Sequence, residues 1–455
     1  MLRAGLVLAL AALSGCRTGA SPAGHGRAKA PRAVAVRGFR IADPDAVVLI
    51  TGGTHGMMEV CNCVGPMPGG LARRSGLVRS YRAAFDTTIV LDTGDLFWVE
   101  PEDLRNTFVP KGYGQIGYDA VVLGDQEWAA CDDHLRALGR AKGLTCLSTT
   151  VSAKTVDFPR VVVRPIRGGR LAIVSDVRGD AFRFVPASRR ERLTLSPPED
   201  IVRRIRQLKR DGLLVMVVAH MEASTLEAVA GEYHADLIVQ GHTTRSEPAL
   251  RRLAGTPVVK VGGFETVGAV AIRSAGGKIV DLDYRVEVVD TTWPLDRRLI
   301  QTYQAYAHAA MRRALDAERT EGLDYVASSA CGKCHPRAHA AWRRGPHAHA
   351  YKTLVKARRT GDPNCLMCHT TGFGTKKGFY TIAKTPRMAD VNCQACHRFN
   401  VAEHRKKGFR RPAVTKAVCT TCHTPVTSPK FDYAAQRATV RCPAGTSHLL
   451  PRRTK

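Results

Sequence analysis

Acidic residues are in short supply: Asp and Glu number 40 against 68 Lys and Arg, which leaves a formal charge of +28 over 455 residues. Concentrated in one region, such a surplus would mark a nucleic-acid-binding surface. Here the basic residues, mostly Arg, run through the whole chain, so nucleic acid is not expected as a partner. Acidic proteins or anionic lipid headgroups are the expected recipients of the field. Long apolar runs are also missing. After the first residues no stretch of 18 apolar residues occurs, so no second membrane crossing is expected. Residues 17–40 have almost no aromatic side chains and are rich in Gly, Ala, Pro, Ser and Arg, a composition that cannot bury a core. Beyond residue 325 large hydrophobic residues are few and regular periodicity is weak, so that stretch must build its interior from something other than side chains.

The start is distinctive. Met1–Cys16 carries one Arg, an apolar run from Ala4 to Leu13, and then Leu13-Ser14-Gly15-Cys16. A short apolar run after a positive charge is a secretory signal. Small residues followed at once by Cys resemble the bacterial lipobox, which implies cleavage before Cys16 and its lipidation. The expected organisation is a signal peptide over 1–16, a flexible tether over 17–43, an α/β domain over 44–290, a helical connector over 291–324 and a cysteine- and histidine-rich domain over 325–455. A length of 455 residues fits two folded domains better than one. The expected location is the bacterial cell envelope, as a lipoprotein facing the periplasm. The outer membrane is favoured because Arg17, rather than Asp, follows the lipidated Cys.

C-x-x-C-H, the attachment signature of c-type haem, occurs four times: Cys331-Gly-Lys-Cys334-His335, Cys365-Leu-Met-Cys368-His369, Cys393-Gln-Ala-Cys396-His397 and Cys419-Thr-Thr-Cys422-His423. In each, two thiols bond the haem vinyl carbons and the adjacent His is held under the iron. Zinc also binds C-x-x-C pairs, but a His directly after every second Cys, in an exported chain, selects haem. Four c-type haems are therefore expected, packed closely enough to form much of the core of their domain.

The surrounding segment resembles the tetrahaem cytochrome that carries electrons in ammonia-oxidising bacteria, and its multihaem relatives. The matching stretches include Tyr325-Val-Ala-Ser-Ser-Ala-Cys331, Trp342-Arg-Arg-Gly-Pro-His347-Ala-His349-Ala350, Cys368-His369-Thr-Thr-Gly-Phe-Gly374 and Ser428-Pro-Lys-Phe-Asp432-Tyr433. The resemblance implies His347 and His404 as distal iron ligands, with His349, His339 and His448 as weaker candidates. It also implies redox proteins as partners.

Within 44–290, apolar runs at 46–51, 88–92, 120–124, 213–220 and 235–242 read as buried strands. Residues 197–212 read as a helix, and Leu299, Tyr303, Tyr306 and Met311 at helical spacing predict a connector helix after Pro294. A polar residue follows each strand: His55, Asp95, Asp125, His220 and His242. Ligands of α/β sheets gather at the carboxyl ends of strands, so these five are the metal-ligand candidates.

Thr54-His55-Gly56, Gly69-Gly70-Leu71-Ala72-Arg73-Arg74, Leu91-Asp-Thr-Gly94-Asp95, Gly124-Asp125-Gln126-Glu127, Ala219-His220 and Gly241-His242 resemble the calcineurin-like metallophosphoesterases, in particular their periplasmic 5′-nucleotidase branch. The resemblance implies an αββα sandwich, followed here by a mostly irregular and helical multihaem domain. Three departures stand out. Gly53 replaces the Asp of the family's Asp-x-His, Gln126 replaces its catalytic His, and Thr244 replaces the last His ligand. One metal, Zn, Mn or Fe by its mixed N/O donors, keeps Asp95, Asp125, His220 and His242. A second keeps only His55 and the bridging Asp95, so two-metal phosphoryl chemistry is not expected.

Nearby stands Cys61-Asn-Cys63, two thiols one residue apart, suited to a strained, reducible disulfide or to metal binding. Redox-active relatives of the nucleotidase family carry Cys or selenocysteine at such a position, which makes this pair the redox candidate beside a small-molecule substrate. Cys131 and Cys146 are left as a possible structural disulfide. The expected function is electron transfer by a membrane-anchored multihaem cytochrome with a degenerate 5′-nucleotidase-like domain. The alternatives are an active 5′-nucleotidase with a haem module attached, and a multihaem reductase of a nitrogen or sulfur compound.

Overall fold

A computed structural model describes residues 34–60, 66–242, 247–424, 427–428 and 430–440. Cys16, Cys61, Cys63, Thr243, Thr244, Cys442 and His448 lie outside the described residues.

Two six-stranded sheets make the N-terminal domain. The first runs in the order Lys278–Val288, Thr266–Ala275, Ala46–Thr51, Thr88–Asp92, Tyr118–Val122, Leu144–Leu147. Its last four strands are parallel, and the first two form an antiparallel hairpin on its edge. The second runs Ala249–Leu253, Thr256–Lys260, Leu237–Gln240, Leu214–His220, Gly169–Val177, Val162–Ile166, parallel in the middle and antiparallel at both edges.

Alternation along each strand fixes the layers, because neighbouring side chains leave opposite faces of a sheet. Leu214, Met216 and Val218 point into the core shared with the first sheet. Val215, Val217 and Ala219 point the other way, onto Ile201 and Ile205 of helix Pro198–Arg210 and Leu226, Ala230 and Tyr233 of helix Ala223–Tyr233. The first sheet is covered on its outer face by Leu77, Val78 and Tyr81 of helix Leu71–Ala84, and by Val109 and Tyr113 of helix Arg105–Ile116. The architecture is the αββα sandwich implied by the sequence motifs. Both faces of both sheets are covered, which is why the central strands read as unbroken apolar runs.

The connector helix runs Arg297–Asp316, with Asp296 as N-cap accepting from the Arg298 amide. It docks on the sandwich through Leu299 and Tyr306. Beyond it the chain forms short helices and loops around a small core of Leu354, Leu366, Phe379 and Met388. No described helix is long and apolar enough to cross a membrane.

The disulfide considered between Cys131 and Cys146 is absent. Cys146 is buried in the edge strand Leu144–Leu147, whereas Cys131 caps helix Asp132–Gly139 with its sulfur 3.2 Å from His134 Nδ1.

Candidate metal centre and haem-attachment sites

Two parallel strands of each sheet deliver the candidate ligands at or just past their carboxyl ends. Asp95 lies three residues past Thr88–Asp92, and Asp125 opens the short helix after Tyr118–Val122. His220 ends its own strand, and His242 comes two residues past Leu237–Gln240. Side chains reach the common point only because the backbone bends sharply. Asp95 has φ 59°, His242 φ 53° and His55 φ 46°. Non-glycine residues in this left-handed region are uncommon and strained, and they cluster at functional sites.

Asp95, Asp125, His220 and His242 each place one ligand atom within 4.8 Å of all the others. His220 Nε2 is 3.0 Å from Asp125 Oδ1 and 3.6 Å from Asp95 Oδ1. His242 Nδ1 is 3.2 Å from Asp125 Oδ1, 3.8 Å from Asp95 Oδ2 and 3.2 Å from His220 Nε2. A tetrahedral ion with bonds of about 2.1 Å needs donors roughly 3.4 Å apart. The donor set fits. A second observation agrees: Asp95 Oδ1 is buried and has no hydrogen-bond partner, an acceptor placed where a cation would satisfy it. His220 Nδ1 donates to the Thr93 carbonyl at 2.8 Å, which turns the Nε2 lone pair inward as metal-ligating imidazoles require.

The electrostatics follow from burial. Burial pushes the Asp95 carboxyl up to about 6. Burial works against a charge on His220 too, yet Asp95 and Asp125 beside it carry its pKa up to about 9. Asp125 is also penalised by burial, but hydrogen bonds with His220 and His242 outweigh this and hold it well below the usual carboxylate range.

Glu127 is the residue whose role the sequence reading missed. Fully buried, it accepts from the amides of Asp95 (3.0 Å), Phe97 (2.9 Å) and Gly124 (2.9 Å), and so ties together the two loops that carry the aspartates. The signal was available: a Glu at the third helical position reaching back to the N-cap amide is half of a capping box. Burial, aided by the nearby Asp95 charge, raises its pKa to about 7.

His55 stands apart from the four. Its Nδ1 is 3.1 Å from Gln126 Oε1, so the replacement for the family's catalytic His is hydrogen-bonded to the remnant of the second metal position. Its Nε2 faces Gly53, where a Cβ would lie 3.4 Å away.

In the C-terminal module each C-x-x-C-H occupies a helical turn. The amide of His335 donates to the Cys331 carbonyl at 2.9 Å, that of His397 to Cys393 at 2.8 Å and that of His423 to Cys419 at 2.9 Å, while Cys365–His369 closes the helix Pro363–His369. A turn of this kind presents both thiols and the following imidazole to one side, as haem attachment needs. His369 Nδ1 is 2.8 Å from the Ala350 carbonyl, and His423 Nδ1 is 2.9 Å from Ser428 Oγ. In both, Nε2 is left for iron. The Cys331 thiol touches Cys393 and the Cys368 thiol touches Cys422. The first motif therefore packs on the third, and the second on the fourth.

The two distal candidates each face an attachment histidine. The ring centres of His335 and His404 are 5.8 Å apart, and those of His347 and His423 are 6.2 Å apart. An ion held between two imidazoles at about 2 Å from each nitrogen sets their centres about 6 Å apart. The residues present thus fit haem, whose iron each of these pairs would hold. His339 instead stacks on Trp342, and His349 caps helix Ala350–Ala357.

Residues 330–398, which hold the first three motifs, match the family model described as cytochrome c554 and c-prime. Among solved structures the chain is similar to the sulfate thiohydrolase SoxB of Thermus thermophilus, at 20% identity and a TM-score of 0.51, over 59% of this chain and 61% of that one. It is also similar to the NAD nucleotidase NadN of Haemophilus influenzae, at 13% identity and a TM-score of 0.50, over 62% of this chain and 63% of the other. At these identities the likeness is one of fold, and the chain spans about six-tenths of the length of either structure. No curated protein matches it. The N-terminal domain has the fold of the 5′-nucleotidases and calcineurin-like phosphoesterases, and the C-terminal region includes a cytochrome c module.

Proposed function

We propose that the protein is an electron-transfer cytochrome of the bacterial envelope, anchored by lipid at Cys16 and facing the periplasm, with four covalent haems. Its N-terminal domain is a degenerate 5′-nucleotidase-like module that holds one divalent metal, Zn, Mn or Fe. The observation that carries this reading is the set of four C-x-x-C-H turns between Cys331 and His423, two of them facing a second imidazole at iron-ligand spacing.

Haem bound at these turns supplies a one-electron couple at each iron. The chain supplies the rest. Eight thiols would fix the macrocycles, and His335, His369, His397 and His423 would orient them. The contacts of the first motif with the third and of the second with the fourth would bring their haems close together, as rapid exchange requires. In the N-terminal domain Asp95, Asp125, His220 and His242 would hold the ion, which would supply a Lewis acid able to orient a small ligand. Hydrolysis through a two-metal clamp is disfavoured, because Gly53 offers no donor and Gln126 is engaged with His55 and cannot carry a proton.

Cys61 and Cys63 are assigned as the redox pair of this domain, two electrons and two protons converting their disulfide to two thiols. Support comes from the residues around them. Arg359 of the haem module donates to the carbonyl of Val60, the residue before Cys61, at 3.1 Å and to the Tyr303 hydroxyl at 3.0 Å. Tyr303 in turn donates to Asp362, the N-cap of the helix that carries Cys365 and Cys368. The haem module and the segment that leads to the cysteines are thereby joined through one guanidinium.

The test combines the intact mass of the haem-loaded protein, a pyridine haemochrome assay, metal content, and hydrolysis of AMP with added Mn or Zn. Four haem masses, about one tightly bound metal and near-background hydrolysis are expected. Robust hydrolysis that disappears in Asp95→Ala would restore the nucleotidase instead.

A further inference from the structure

Residues 401–416 hold six cations and one carboxylate, Glu403. Arg405, Lys406, Lys407, Arg410, Arg411 and Lys416 are all exposed, and among the described residues none of them is in an ion pair. Some exposed cations elsewhere are partnered, as Arg183 is with Glu222, Arg192 with Asp132 and Arg203 with Asp200; here six unpaired ones crowd into one short stretch over a pair of histidines. Like charges crowded together repel one another, and a cluster left without local counter-charge is a field directed at something outside the chain.

This cluster is also fixed in place over the haem ligands. Phe409 packs on His404 with ring centres 4.9 Å apart and on Phe399 at 5.4 Å, while Phe399 lies 4.7 Å from His404. Arg405 and Arg411 are near enough for their charges to bear on His404 and His397 respectively. His404 faces His335 across the spacing of one iron. This stretch of exposed basic surface thus lies a single side chain away from two haem-ligating histidines.

We propose that residues 401–416 form the docking surface for an acidic electron-transfer protein, which exchanges single electrons with the haem held between His335 and His404. The proposal rests on the electron-transfer reading above and adds where the partner binds and its chemistry. In the step, one electron leaves the reduced iron of one protein and reduces the ferric iron or cupric ion of the other, with no bond made or broken. A lipid headgroup is the weaker fit, because attachment of this face to a membrane would cover the ligands through which a soluble partner is reached. Haem propionates could neutralise a few of these cations, but then charge reversal would act on haem potentials.

The experiment uses the four-haem protein, stopped-flow mixing and an acidic blue copper protein as the probe, over a range of salt. The triple variant Arg405→Glu, Lys406→Glu and Lys407→Glu is compared with Arg204→Glu, Arg206→Glu and Arg210→Glu, an equal change of charge on the exposed face of helix Pro198–Arg210. At low salt the first should lose about tenfold or more in second-order rate and most of its salt dependence, and the second much less, since steering acts locally within a Debye length. Equal losses in both variants would overturn the assignment of the surface. So would a loss accompanied by shifted haem midpoint potentials, which would assign the cations to propionates. Loss of binding to phosphatidylglycerol vesicles with unchanged electron exchange would assign the face to a membrane and overturn the proposal. If the wild-type haems are oxidised by ferricyanide but by neither an acidic nor a basic protein carrier, the electron-transfer reading itself fails.

Discussion

Gly124→Ala tests whether Asp95, Asp125, His220 and His242 hold an ion. Gly124 has φ −83° and ψ −173°, a conformation alanine adopts freely, so any effect is one of space. A Cβ there would lie 2.5 Å from His220 Cε1, 2.6 Å from its Nε2 and 3.1 Å from Asp95 Oδ1. The ring cannot retreat. His220 is fully buried, its Nδ1 is held by the Thr93 carbonyl, and it is also flanked by Gly94 and Gly241, whose own Cβ positions would lie 3.0 and 3.3 Å from Nδ1. Relieving the clash to an ordinary carbon contact moves the imidazole by roughly 1 Å. Overpacking of this kind costs about 1–3 kcal/mol. Misdirecting a ligand costs about 10–100-fold in metal affinity, so the stabilisation conferred by saturating metal should fall by about 1.4–2.7 kcal/mol. The assay is thermal unfolding with chelator and with added Zn or Mn, together with metal content after dialysis. Overpacking lowers both melting temperatures, whereas ligand misalignment shrinks the gap between them. Gly169→Ala, with nothing within 4 Å of its Cβ position, is the control. If Gly124→Ala keeps the wild-type gap and metal content, the cluster is not a metal site and its four side chains merely satisfy one another.

Further outcomes follow from the haem module and the chain start. His404→Ala and His347→Ala should each convert one low-spin haem to high spin, those of His335 and His423 respectively, as read by electron paramagnetic resonance; an unchanged spectrum removes that histidine as a ligand. Arg359→Ala removes bonds to Val60 and Tyr303 and leaves Asp362 beside a bare hydroxyl, and should destabilise the junction by about 1–3 kcal/mol. It should also slow thiol–haem equilibration, whereas Arg359→Lys should restore only a fraction of either, because a lysine cannot span both acceptors. A rate that does not respond to either variant would separate the cysteine pair from this route. Cys16→Ser should abolish membrane fractionation or leave the chain unprocessed, and normal fractionation would place the anchor elsewhere.

What the sequence disclosed depended on whether a feature was local. Ala46–Thr51 and Thr88–Asp92 were legible to the residue because both faces of each strand are buried, so hydrophobicity alone delimits them. The strand expected at 120–124 runs Tyr118–Val122, since Asp119 belongs to it and is held there by Arg164 and the Val90 amide. The strand expected at 235–242 stops at Gln240, because His242 must leave the sheet in a left-handed turn to reach Asp125. The hairpin strand Lys278–Val288, half exposed along its length, gave no apolar run to read. The metal candidates were legible by topology, as residues that follow parallel strands, and the family resemblance already set His55 apart from Asp95, Asp125, His220 and His242, the same four that the packing brings together.

In the haem module the balance is reversed. Its C-x-x-C-H motifs are strictly local, whereas the pairing of His335 with His404 and of His347 with His423 joins residues 69 and 76 positions apart and no spacing rule reaches that far. The same contrast governs how the two domains hold together. The sandwich is fixed by a continuous apolar core between two sheets, so it tolerates loss of catalytic residues without loss of shape. The haem module has a core of four large buried apolar side chains among the described residues, too few to order some hundred residues against their conformational entropy. On the proposed function its order would come from the haems, which His335 with His404 and His347 with His423 would help to hold. Removing a haem thiol there should therefore unfold a region, while removing a metal ligand in the sandwich should empty a site.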